Sequence, residues 1–390
     1  MQPGLFTLSI FSDCVHQYTA EGKVATENHI FCRQMEAISK YYKHTEIYCP
    51  FITKNNTPVK VYTEKNIHFT PLPNVGGQRV SDKLKLLQAM PVWFKSFSAS
   101  AKNSDIIYQR FPDNLNIPGF FYFYFKKKKV FATYTGTWPN YKNEPLTYRL
   151  QKWLLKHFFR GPVWAYLVKE HEGKNIFKSY SPSYTLQEWE EETAQVNKRI
   201  SNIKNNGIQL PVFITVGALV KNKNQQFILD VFNLLHQQAF PFHLYIVGDG
   251  PLIQQYKNFI EKNNLQKNIS LMGKSGSDDV RALYRKSDFL IQAPIAEGFG
   301  KVPVEGFFHG VIPLLSNTAY AQEMTGKNNE RGYTFIPDNA GNIAALILNI
   351  TKNNSRLPAM IEEGRAFAKS NNLNHWAEMY YRDVCNFYNL

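Results

Sequence analysis

The sequence has few cysteines, no long apolar run and no acidic metal motif, and each shortage excludes a class of protein. Its four cysteines, spread over 390 residues, show neither a disulfide framework nor metal-site spacing, which favours a reducing cytoplasm. No apolar run reaches the roughly 18 residues that a transmembrane helix requires. The N-terminal MQPGLFTLSIFSDC has no basic segment before its apolar stretch and predicts a first strand rather than a signal peptide. Without an Asp-x-Asp triad or a cluster of histidines and carboxylates, we expect neither a metal ion nor another cofactor.

Negative charge is also scarce, and the shortage is confined to the first half of the chain. The whole sequence has 45 Lys and Arg against 31 Asp and Glu, a net charge of +14. Residues 1–184 contain 25 basic and 12 acidic residues, whereas residues 185–390 contain 20 and 19. The basic half predicts contact with an anionic membrane, a lipid-linked phosphate or nucleic acid. The alternative is that the positive charge only keeps the protein soluble.

Apolar periodicity predicts an α/β protein with two domains. Both halves alternate strand and helix patterns, which is typical of parallel sheets covered by helices. The predicted strands are Leu5–Ser12, Thr45–Phe51, Asp105–Arg110, Lys129–Tyr134, Val212–Val216, His243–Val247, Ile269–Met272, Phe289–Gln292 and Ile312–Leu315. We place a first domain at residues 1–184, a polar linker at 185–206, a second domain at 207–370 and a final amphipathic helix at 371–390.

The most informative nine residues are EGFGKVPVE, from Glu297 to Glu305. A buried strand is predicted before them and a helix after them, so two carboxylates flank a glycine loop at a helix N-terminus. Gly298 and Gly300 let the backbone approach a ligand, and Pro303 suits the first helical turn because its missing N–H costs no hydrogen bond there. Free amides at a helix start attract an anion, and carboxylates accept hydrogen bonds from sugar hydroxyls. The segment predicts a site for a sugar attached to a phosphate; two ordinary surface carboxylates are the alternative.

This segment resembles the signature of glycosyltransferase family 4, the group 1 glycosyltransferases, which has Gly-Phe-Gly after a first Glu and a second Glu after seven intervening residues. The resemblance extends over most of the second half, through FITVGALVKNKNQQFILDVFNLL, FHLYIVGDGPLIQQYKNFIEKNNL and NISLMGKSGSDDVRALYRKSDFLIQAP. The first half matches weakly and mostly in pattern. The resemblance implies the GT-B fold, in which two Rossmann-like domains face each other across a cleft. It also implies that the last helix crosses back to the first domain.

The resemblance implies a donor site in the second domain. Glu297 would hold the donor sugar, Glu305 would hold the ribose, and Lys223 would help the leaving group to depart. Phosphate contacts would come from the loop residues Gly217, Gly298, Phe299, Gly300, Lys301 and Val302. The nucleobase would meet the backbone at Gly273 and Lys274, which leaves uridine and guanosine undistinguished.

On the first domain, five residues fall where the family has acceptor-side positions. Gly22 and Lys23 occupy the place of its glycine-rich loop, between the first strand and a helix. Thr135 and Gly136 end a strand in YTGTW, where the family has His-Gly. Arg110 ends another strand at the same rim, where it suits either an acceptor contact or an ion pair at the edge of the core.

The chain departs from the family pattern at Lys23, which stands where the family often has a second glycine, and at two positions that bear on donor binding. Ala218 stands where the family usually has an arginine that clamps the diphosphate. Either Lys221 or Lys301 replaces that cation, or donor binding is weaker. Thr135 stands where the family has a histidine, so the usual contact with the donor sugar is in doubt.

Two aromatic and basic segments raise the question of membrane contact. GFFYFYFKKKKV is better explained as a helix that covers the sheet, with lysines at its C-terminal end. YRLQKWLLKHFFR interleaves Trp153 and Phe158 with Lys152, Lys156 and Arg160, and an interfacial helix and a packed helix remain equal alternatives.

These observations predict a retaining, metal-independent glycosyltransferase that moves a sugar from a UDP- or GDP-sugar to a saccharide or lipid-linked acceptor in surface polysaccharide synthesis. Retention of configuration comes from the resemblance alone. The expected location is the cytoplasm, with peripheral contact to the inner face of the membrane and no nucleic-acid partner. The alternatives are a GT-B sugar-nucleotide epimerase, which would need further cleft carboxylates and a histidine, and a degenerate binding protein, suggested by Ala218 and Thr135.

Overall fold

The computed structural model describes residues 4–53, 59–76, 80–141, 144–167 and 169–390. The chain divides into two compact units: Met1–Ser183 with Leu373–Leu390, and Tyr184–Asn372. Each unit has its own parallel sheet and its own apolar core. Within the described ranges, no helix combines the length and the apolar composition needed to cross a membrane.

The first unit is built on an eight-stranded sheet and a small three-stranded one. Its strands are β1 (Thr7–Phe11), β2 (His16–Tyr18), β3 (Val24–Thr26), β4 (His44–Pro50), β5 (Lys60–Val61), β6 (Ile67–Leu72), β7 (Ile106–Phe111), β8 (Lys129–Tyr134), β9 (Val163–Ala165), β10 (His171–Glu172) and β11 (Ile176–Lys178). The large sheet has the order β10-β11-β9-β8-β7-β1-β4-β6; β10 and β11 pair antiparallel, and the other described neighbours pair parallel. The small sheet, β2-β3-β5, is antiparallel and follows β1 along the chain.

Helices cover both faces of the large sheet because its central strands are apolar on both sides. The helices are α1 (His29–Ser39), α2 (Val80–Asn103), α3 (Asn116–Phe125) and α4 (Leu146–His157). Ile107 of β7 contributes to the core under α2, α3 and α4, whereas its neighbour Tyr108 contributes to the core under α1. This alternation is the period of two that a strand imposes on its side chains.

The second unit is built on six parallel strands in the order of a dinucleotide-binding sheet. Its strands are β12 (Val212–Val216), β13 (His243–Val247), β14 (Ile269–Gly273), β15 (Phe289–Gln292), β16 (Ile312–Ser316) and β17 (Tyr333–Phe335). Its helices are α5 (Leu186–Asn206), α6 (Gln225–Gln237), α7 (Ile253–Lys262), α8 (Ser277–Lys286), α9 (Lys301–Phe308), α10 (Ala321–Thr325), α11 (Ala340–Lys352) and α12 (Leu357–Ser370). The strand order β14-β13-β12-β15-β16-β17 reverses direction between β12 and β15.

The segment 185–206, which the sequence analysis assigns to a linker, forms helix α5 of the second unit. Thr185 and Glu188 make a capping box: the Thr185 hydroxyl accepts from the Glu188 amide at 3.2 Å, and the Glu188 carboxylate accepts from the Thr185 amide at 2.8 Å. Val196, Ile200 and Ile203 lie on one buried face of the helix. The linker interpretation is wrong because a mostly polar composition conceals this apolar stripe.

The last helix, α13 (Leu373–Tyr388), belongs to the first unit. It packs against α1 and buries Trp376, Tyr380 and Val384 in the core on that face of the sheet. The Tyr388 hydroxyl donates to the carbonyl of Val130 at 2.7 Å and accepts from the Val130 amide at 2.9 Å. These two hydrogen bonds attach the end of the chain to the beginning of β8.

Helix α4 is amphipathic, and one of its lysines lies in the core. Leu150 and Trp153 are 45% and 50% exposed, whereas Leu154 and Lys152 are buried. The Lys152 ammonium lies 2.6 Å from a carboxylate oxygen of Glu144 and donates to the carbonyl of Trp138 at 3.0 Å. Lys152, one of the basic residues of the interfacial alternative, therefore lies in the core, because the helical period points it inward, where a carboxylate neutralises it.

Candidate functional site

The candidate site of the second unit lies where the strand order of its sheet reverses. β12 and β15 are hydrogen-bonded neighbours, although β13 and β14 lie between them in the sequence. Such a switch point leaves a crevice at the carboxyl edge of a parallel sheet. The two loops contact each other directly, since the Ile295 amide donates to the carbonyl of Asn222 at 2.9 Å and the Asn222 side chain donates to the carbonyl of Ala296 at 2.9 Å.

Glycines allow the loop after β12 to pack closely against its neighbour. The Gly217 amide donates to the carbonyl of Val247, at the end of β13, at 2.9 Å. A Cβ atom on Gly248 would lie only 1.9 Å from the carbonyl oxygen of Gly217, so no other residue fits there. After this closely packed segment the chain forms a short 3₁₀ turn, Lys221–Lys223, and then enters α6.

This turn brings the Lys223 side chain back over Gly217 and into contact with Glu297. The Lys223 ammonium donates to the Glu297 carboxylate, although the two residues are 74 positions apart. Their side chains are 24% and 27% exposed, so both remain open to a ligand. A ligand that satisfies this pair needs an anionic group against the lysine and hydrogen-bond donors, such as hydroxyls, against the carboxylate.

The glycine loop ends in a left-handed residue that starts α9. Gly300 has φ of 69° and ψ of 64° and caps the helix, which begins at Lys301. The first amides of a helix have no partner within it, and those of Lys301 and Val302 occupy that position here. Phe299 is only 4% exposed, so its contribution to a ligand would come from its backbone rather than its ring.

A pocket with about 520 Å³ of empty space joins these parts. Its wall includes both members of the ion pair, the glycine loop Gly298–Gly300 and the first turn of α9. Lys301 lines the pocket, whereas Lys221 is exposed and is absent from the residues that line it. Of the two lysines considered as replacements for the arginine missing at Ala218, Lys301 is thus the one placed beside the ion pair.

Glu305 lies in the second turn of α9, half-buried beside α8. Burial raises the pKa of Tyr284 well above its usual value, and the neighbouring Glu305 carboxylate raises it further. Glu305 does not line the pocket that holds Glu297, within the part of the chain that the structure describes. The two carboxylates of the sequence motif therefore lie in different surroundings.

The positions predicted to meet the nucleobase lie at the same edge of the sheet. Gly273 has φ of 66° at the end of β14, and a Cβ atom there would meet no atom within 4 Å. Its carbonyl accepts from the Gly248 amide at 2.9 Å, which links the loops after β13 and β14. Lys274 follows and is exposed.

A third loop of this pocket was not predicted from the sequence. Ser316 ends β16, and it lines the pocket together with Thr318 and Tyr320 of the following loop and Met324 of α10. The Ser316 hydroxyl donates to the carbonyl of Pro294 at 2.8 Å, which attaches this loop to the one after β15. The sequence signal that could have indicated this loop was its position directly after β16, the strand that neighbours β15.

A buried polar network behind α9 was not predicted from the sequence either. One carboxylate oxygen of Glu192 lies 2.9 Å from His309 Nδ1, and the other accepts from Arg285 at 2.6 Å. His309 Nε2 lies 3.2 Å from the Tyr184 hydroxyl, and its ring stacks on that of Tyr284. Burial opposes ionisation of Glu192, but hydrogen bonds from His309 and Arg285 lower its pKa to about 2. The network places an ionised carboxylate close behind the helix that carries Glu305.

In the first unit, Arg110, Thr135 and Gly136 lie at the carboxyl ends of β7 and β8. The Arg110 guanidinium donates to the side chain of Gln34 at 3.2 Å and lies 4.8 Å from the centre of the Phe31 ring. The Thr135 hydroxyl donates to the carbonyl of Phe111 at 3.1 Å. The Thr135 hydroxyl is thus engaged with the backbone of its own unit.

Gly22 and Lys23 lie at the turn of the β2–β3 hairpin. The Gly22 amide donates to the carbonyl of Thr19 at 3.1 Å, and Lys23 is exposed. The sequence predicts that this segment leads from the first strand into a helix. Instead β3 intervenes, because the β-branched Val24 and Thr26 pair with β2 and β5 before α1 begins.

Among the described residues, no three histidine, cysteine or carboxylate side chains are placed to hold one metal ion.

The second unit is similar in sequence to known glycosyltransferases. Residues 197–367 match the family described as glycosyl transferases group 1. An uncharacterized glycosyltransferase of Methanocaldococcus jannaschii is 29% identical over 154 residues, which are 40% of this chain and 42% of that protein. The GPI3 subunit of the phosphatidylinositol N-acetylglucosaminyltransferase of Saccharomyces cerevisiae is 27% identical over 24% of this chain and 21% of its own length. The match thus spans less than half of each of these relatives.

Solved structures resemble the chain over nearly its whole length. The sucrose-phosphate synthase of Thermosynechococcus elongatus superposes with a TM-score of 0.70 at 16% identity, covering 98% of this chain and 99% of that one. HepE of Anabaena, solved with UDP and glucose, gives a TM-score of 0.68 at 12% identity, covering 98% and 100%. The chain has the GT-B fold, and residues 197–367 of its second unit match the group 1 glycosyltransferases.

Proposed function

We propose that this chain is a retaining, metal-independent glycosyltransferase that transfers a sugar from a nucleotide sugar to a lipid-linked saccharide. The observation that supports this most directly is the contact between Lys223 and Glu297 beside the glycine-capped start of α9. A diphosphate suits the lysine and the helix amides, and the hydroxyls of the attached sugar suit the carboxylate. A nucleotide sugar offers both chemistries in adjacent groups.

Catalysis in this proposal depends on stabilising the leaving nucleoside diphosphate. As the bond between the sugar and the diphosphate breaks, negative charge builds on the departing phosphate. Lys223, Lys301 and the first amides of α9 would neutralise that charge in place of a metal ion. Glu297 would hold the donor sugar in position, and Glu305 would accept hydrogen bonds from the ribose hydroxyls.

The proposed acceptor site belongs to the first unit. Arg110, Thr135 and Gly136 end neighbouring strands there, and Gly22 and Lys23 contribute an exposed hairpin turn. The charge of +13 on residues 1–184 and the exposed apolar residues of α4 support a lipid-linked acceptor and peripheral contact with an anionic membrane. Synthesis of a surface polysaccharide at the cytoplasmic face of the membrane is the setting that joins these features.

The proposal is tested by nucleotide release from UDP-glucose, UDP-N-acetylglucosamine and GDP-mannose, with and without a polyprenyl-phosphate-linked saccharide. We expect release that depends on the acceptor and continues in excess EDTA, with less than a twofold change when Mg²⁺ or Mn²⁺ is added. The anomeric configuration of the product, read by NMR, tests retention. Loss of activity in EDTA that either metal restores would refute metal independence. Conversion of the donor sugar without acceptor would favour an epimerase, and tight nucleotide binding without release would favour a degenerate binding protein.

Replacing Glu305 with alanine is expected to weaken nucleotide binding about 10–100-fold. Each hydrogen bond to a charged group contributes about 1.5–3 kcal/mol, and the variant would lose at least one such bond to the ribose. Isothermal titration with UDP and GDP measures the effect. The 2′,3′-dideoxy nucleotides, which lack the ribose hydroxyls, provide the matched control, since they should bind the wild type and the variant with the same affinity. If the variant lost as much affinity for the dideoxy nucleotides as for UDP and GDP, the assigned role of Glu305 would be contradicted.

A further inference from the structure

A second pocket lies at the opposite edge of the sheet in the first unit. It has about 800 Å³ of empty space. Val130, near the start of β8, and Phe159, just before β9, both line it, which places it at the amino-terminal ends of these strands. Arg110 and Thr135, the proposed acceptor residues, lie at the carboxyl ends of β7 and β8 instead. The pocket is therefore separate from the proposed acceptor site.

The interior of this pocket is mainly aromatic. Phe120, Phe123 and Tyr124 enter it from α3, and Phe159 closes it from the loop before β9. The Phe120 and Phe159 rings stack with their centres 6.0 Å apart. Gln109 of β7 also lines the pocket, and its side-chain nitrogen donates to the Asn116 side chain at 3.1 Å. Such walls favour a hydrocarbon chain over a polar ligand.

The mouth of the pocket is positively charged. Lys127, Lys129 and Arg160 line it and are exposed, and the Arg160 guanidinium lies 3.8 Å from the centre of the Tyr124 ring. Lys128 donates to the carbonyl of Ser104 at 2.9 Å. None of the described residues that line the pocket carries a carboxylate. The nearby Asp105, which interacts with Lys128 and Lys129, already accepts from the Thr7 amide at 2.8 Å.

Apolar side chains continue outward from the same elements. Phe121 and Phe125 of α3 are 44% and 75% exposed, and Phe158 is 45% exposed. The aromatic cavity and the exposed aromatic residues beside it suit an apolar chain, and the cationic mouth suits an anionic head. A ligand that has both parts is an anionic amphiphile.

We propose that this pocket binds a single anionic amphiphile, with its alkyl chain among Phe120, Phe123 and Phe159 and its phosphate or carboxylate head against Lys129 and Arg160. The chain would gain affinity from the removal of apolar surface from water, and the head would neutralise cations that have no carboxylate within the pocket. Binding at this site does not require sugar transfer, so a failure of this proposal and a failure of the proposed activity can be distinguished.

The first test is a chain-length series on the wild-type protein. Calorimetric titration with butyl, hexyl, octyl and decyl phosphate, each below its critical micelle concentration, is expected to show affinity rising about fourfold for each added methylene until the pocket is filled. Decanoate tests the carboxylate head. Inorganic phosphate and decyl maltoside, which have only one of the two features, are expected to bind at least 50-fold more weakly than decyl phosphate. An affinity that does not depend on chain length would overturn the proposal.

The second test compares two double variants with the same change in net charge. Lys129→Gln with Arg160→Gln removes cations at the mouth, whereas Lys126→Gln with Arg149→Gln removes exposed cations that do not line the pocket. The first pair is expected to weaken decyl phosphate binding at least tenfold and the second less than twofold, with thermal unfolding measured for both. Equal losses in the two pairs would show general attraction to a basic surface and would overturn a specific site.

Discussion

Replacing Glu297 with alanine is expected to lower the rate of sugar transfer about 10²–10⁴-fold while changing nucleotide affinity less than threefold. The carboxylate would make charge-assisted hydrogen bonds to the donor sugar, and the loss of two such bonds, at about 1.5–3 kcal/mol each, accounts for a reduction of this size. Nucleotide affinity should be preserved because the variant frees Lys223, the partner of Glu297, to contact the diphosphate. Steady-state kcat and calorimetric Kd values for UDP and GDP separate the two effects.

The control for this experiment is Glu261→Ala, which removes an exposed carboxylate from α7 without touching the pocket. It should leave kcat and nucleotide affinity unchanged. Lys223→Met and the double variant with Glu297→Ala complete a cycle, in which the two losses should not add because the residues contact each other. A fall in nucleotide affinity for Glu297→Ala as large as the fall in kcat would show that Glu297 binds the nucleotide rather than the sugar.

Replacing Glu192 with alanine is expected to reduce the free energy of unfolding of the second unit by about 3–5 kcal/mol. The variant leaves His309, which is buried, without the carboxylate that it contacts, and removes the partner of Arg285. Glu191→Ala is the matched control because Glu191, the preceding residue of the same helix, is exposed, and the loss of its carboxylate should cost less than about 1 kcal/mol. Chemical denaturation of both variants measures the difference; equal costs would contradict the role of the buried network.

The difference between wild type and Glu192→Ala should also depend on pH. The pKa of Glu192 is lowered from its usual value of 4.5 to about 2, so its carboxylate is ionised in the folded protein at lower pH than in the unfolded chain. Its contribution to stability is fully present above pH 4.5 and is lost as the pH falls towards 2. Denaturation at pH 7 and at pH 3 should therefore show a smaller difference at the lower pH, whereas an unchanged difference would argue against an ionised Glu192.

The sequence alone determined most of the second unit. The predicted strands Val212–Val216, His243–Val247 and Phe289–Gln292 have the same bounds as β12, β13 and β15. These strands are buried between two layers of helices, so each appears as an uninterrupted apolar run between turn residues. The glycine loop and the start of α9 were predictable for the same local reason, because a loop glycine and an early proline signal a helix start.

The first unit was harder to predict because its short strands depend on distant partners. β3 and β5 have three and two residues, and neither forms an independent apolar pattern. β3 exists because β2 and β5 lie on either side of it. Local sequence cannot reveal such a partner, since it arrives from elsewhere in the chain.

Only the tertiary structure decided which charged residues meet. Lys223 lies on the loop after β12 and Glu297 on the loop after β15, and they touch because β12 and β15 are neighbours in a sheet whose order differs from that of the sequence. Lys152 and Glu192 look like solvated charges in the sequence, yet both are buried. A charge can be buried only where an opposite charge or several hydrogen bonds compensate for lost water, and the fold supplies those partners. Periodicity therefore determined where strands and helices form, whereas strand order and burial determined which side chains act together.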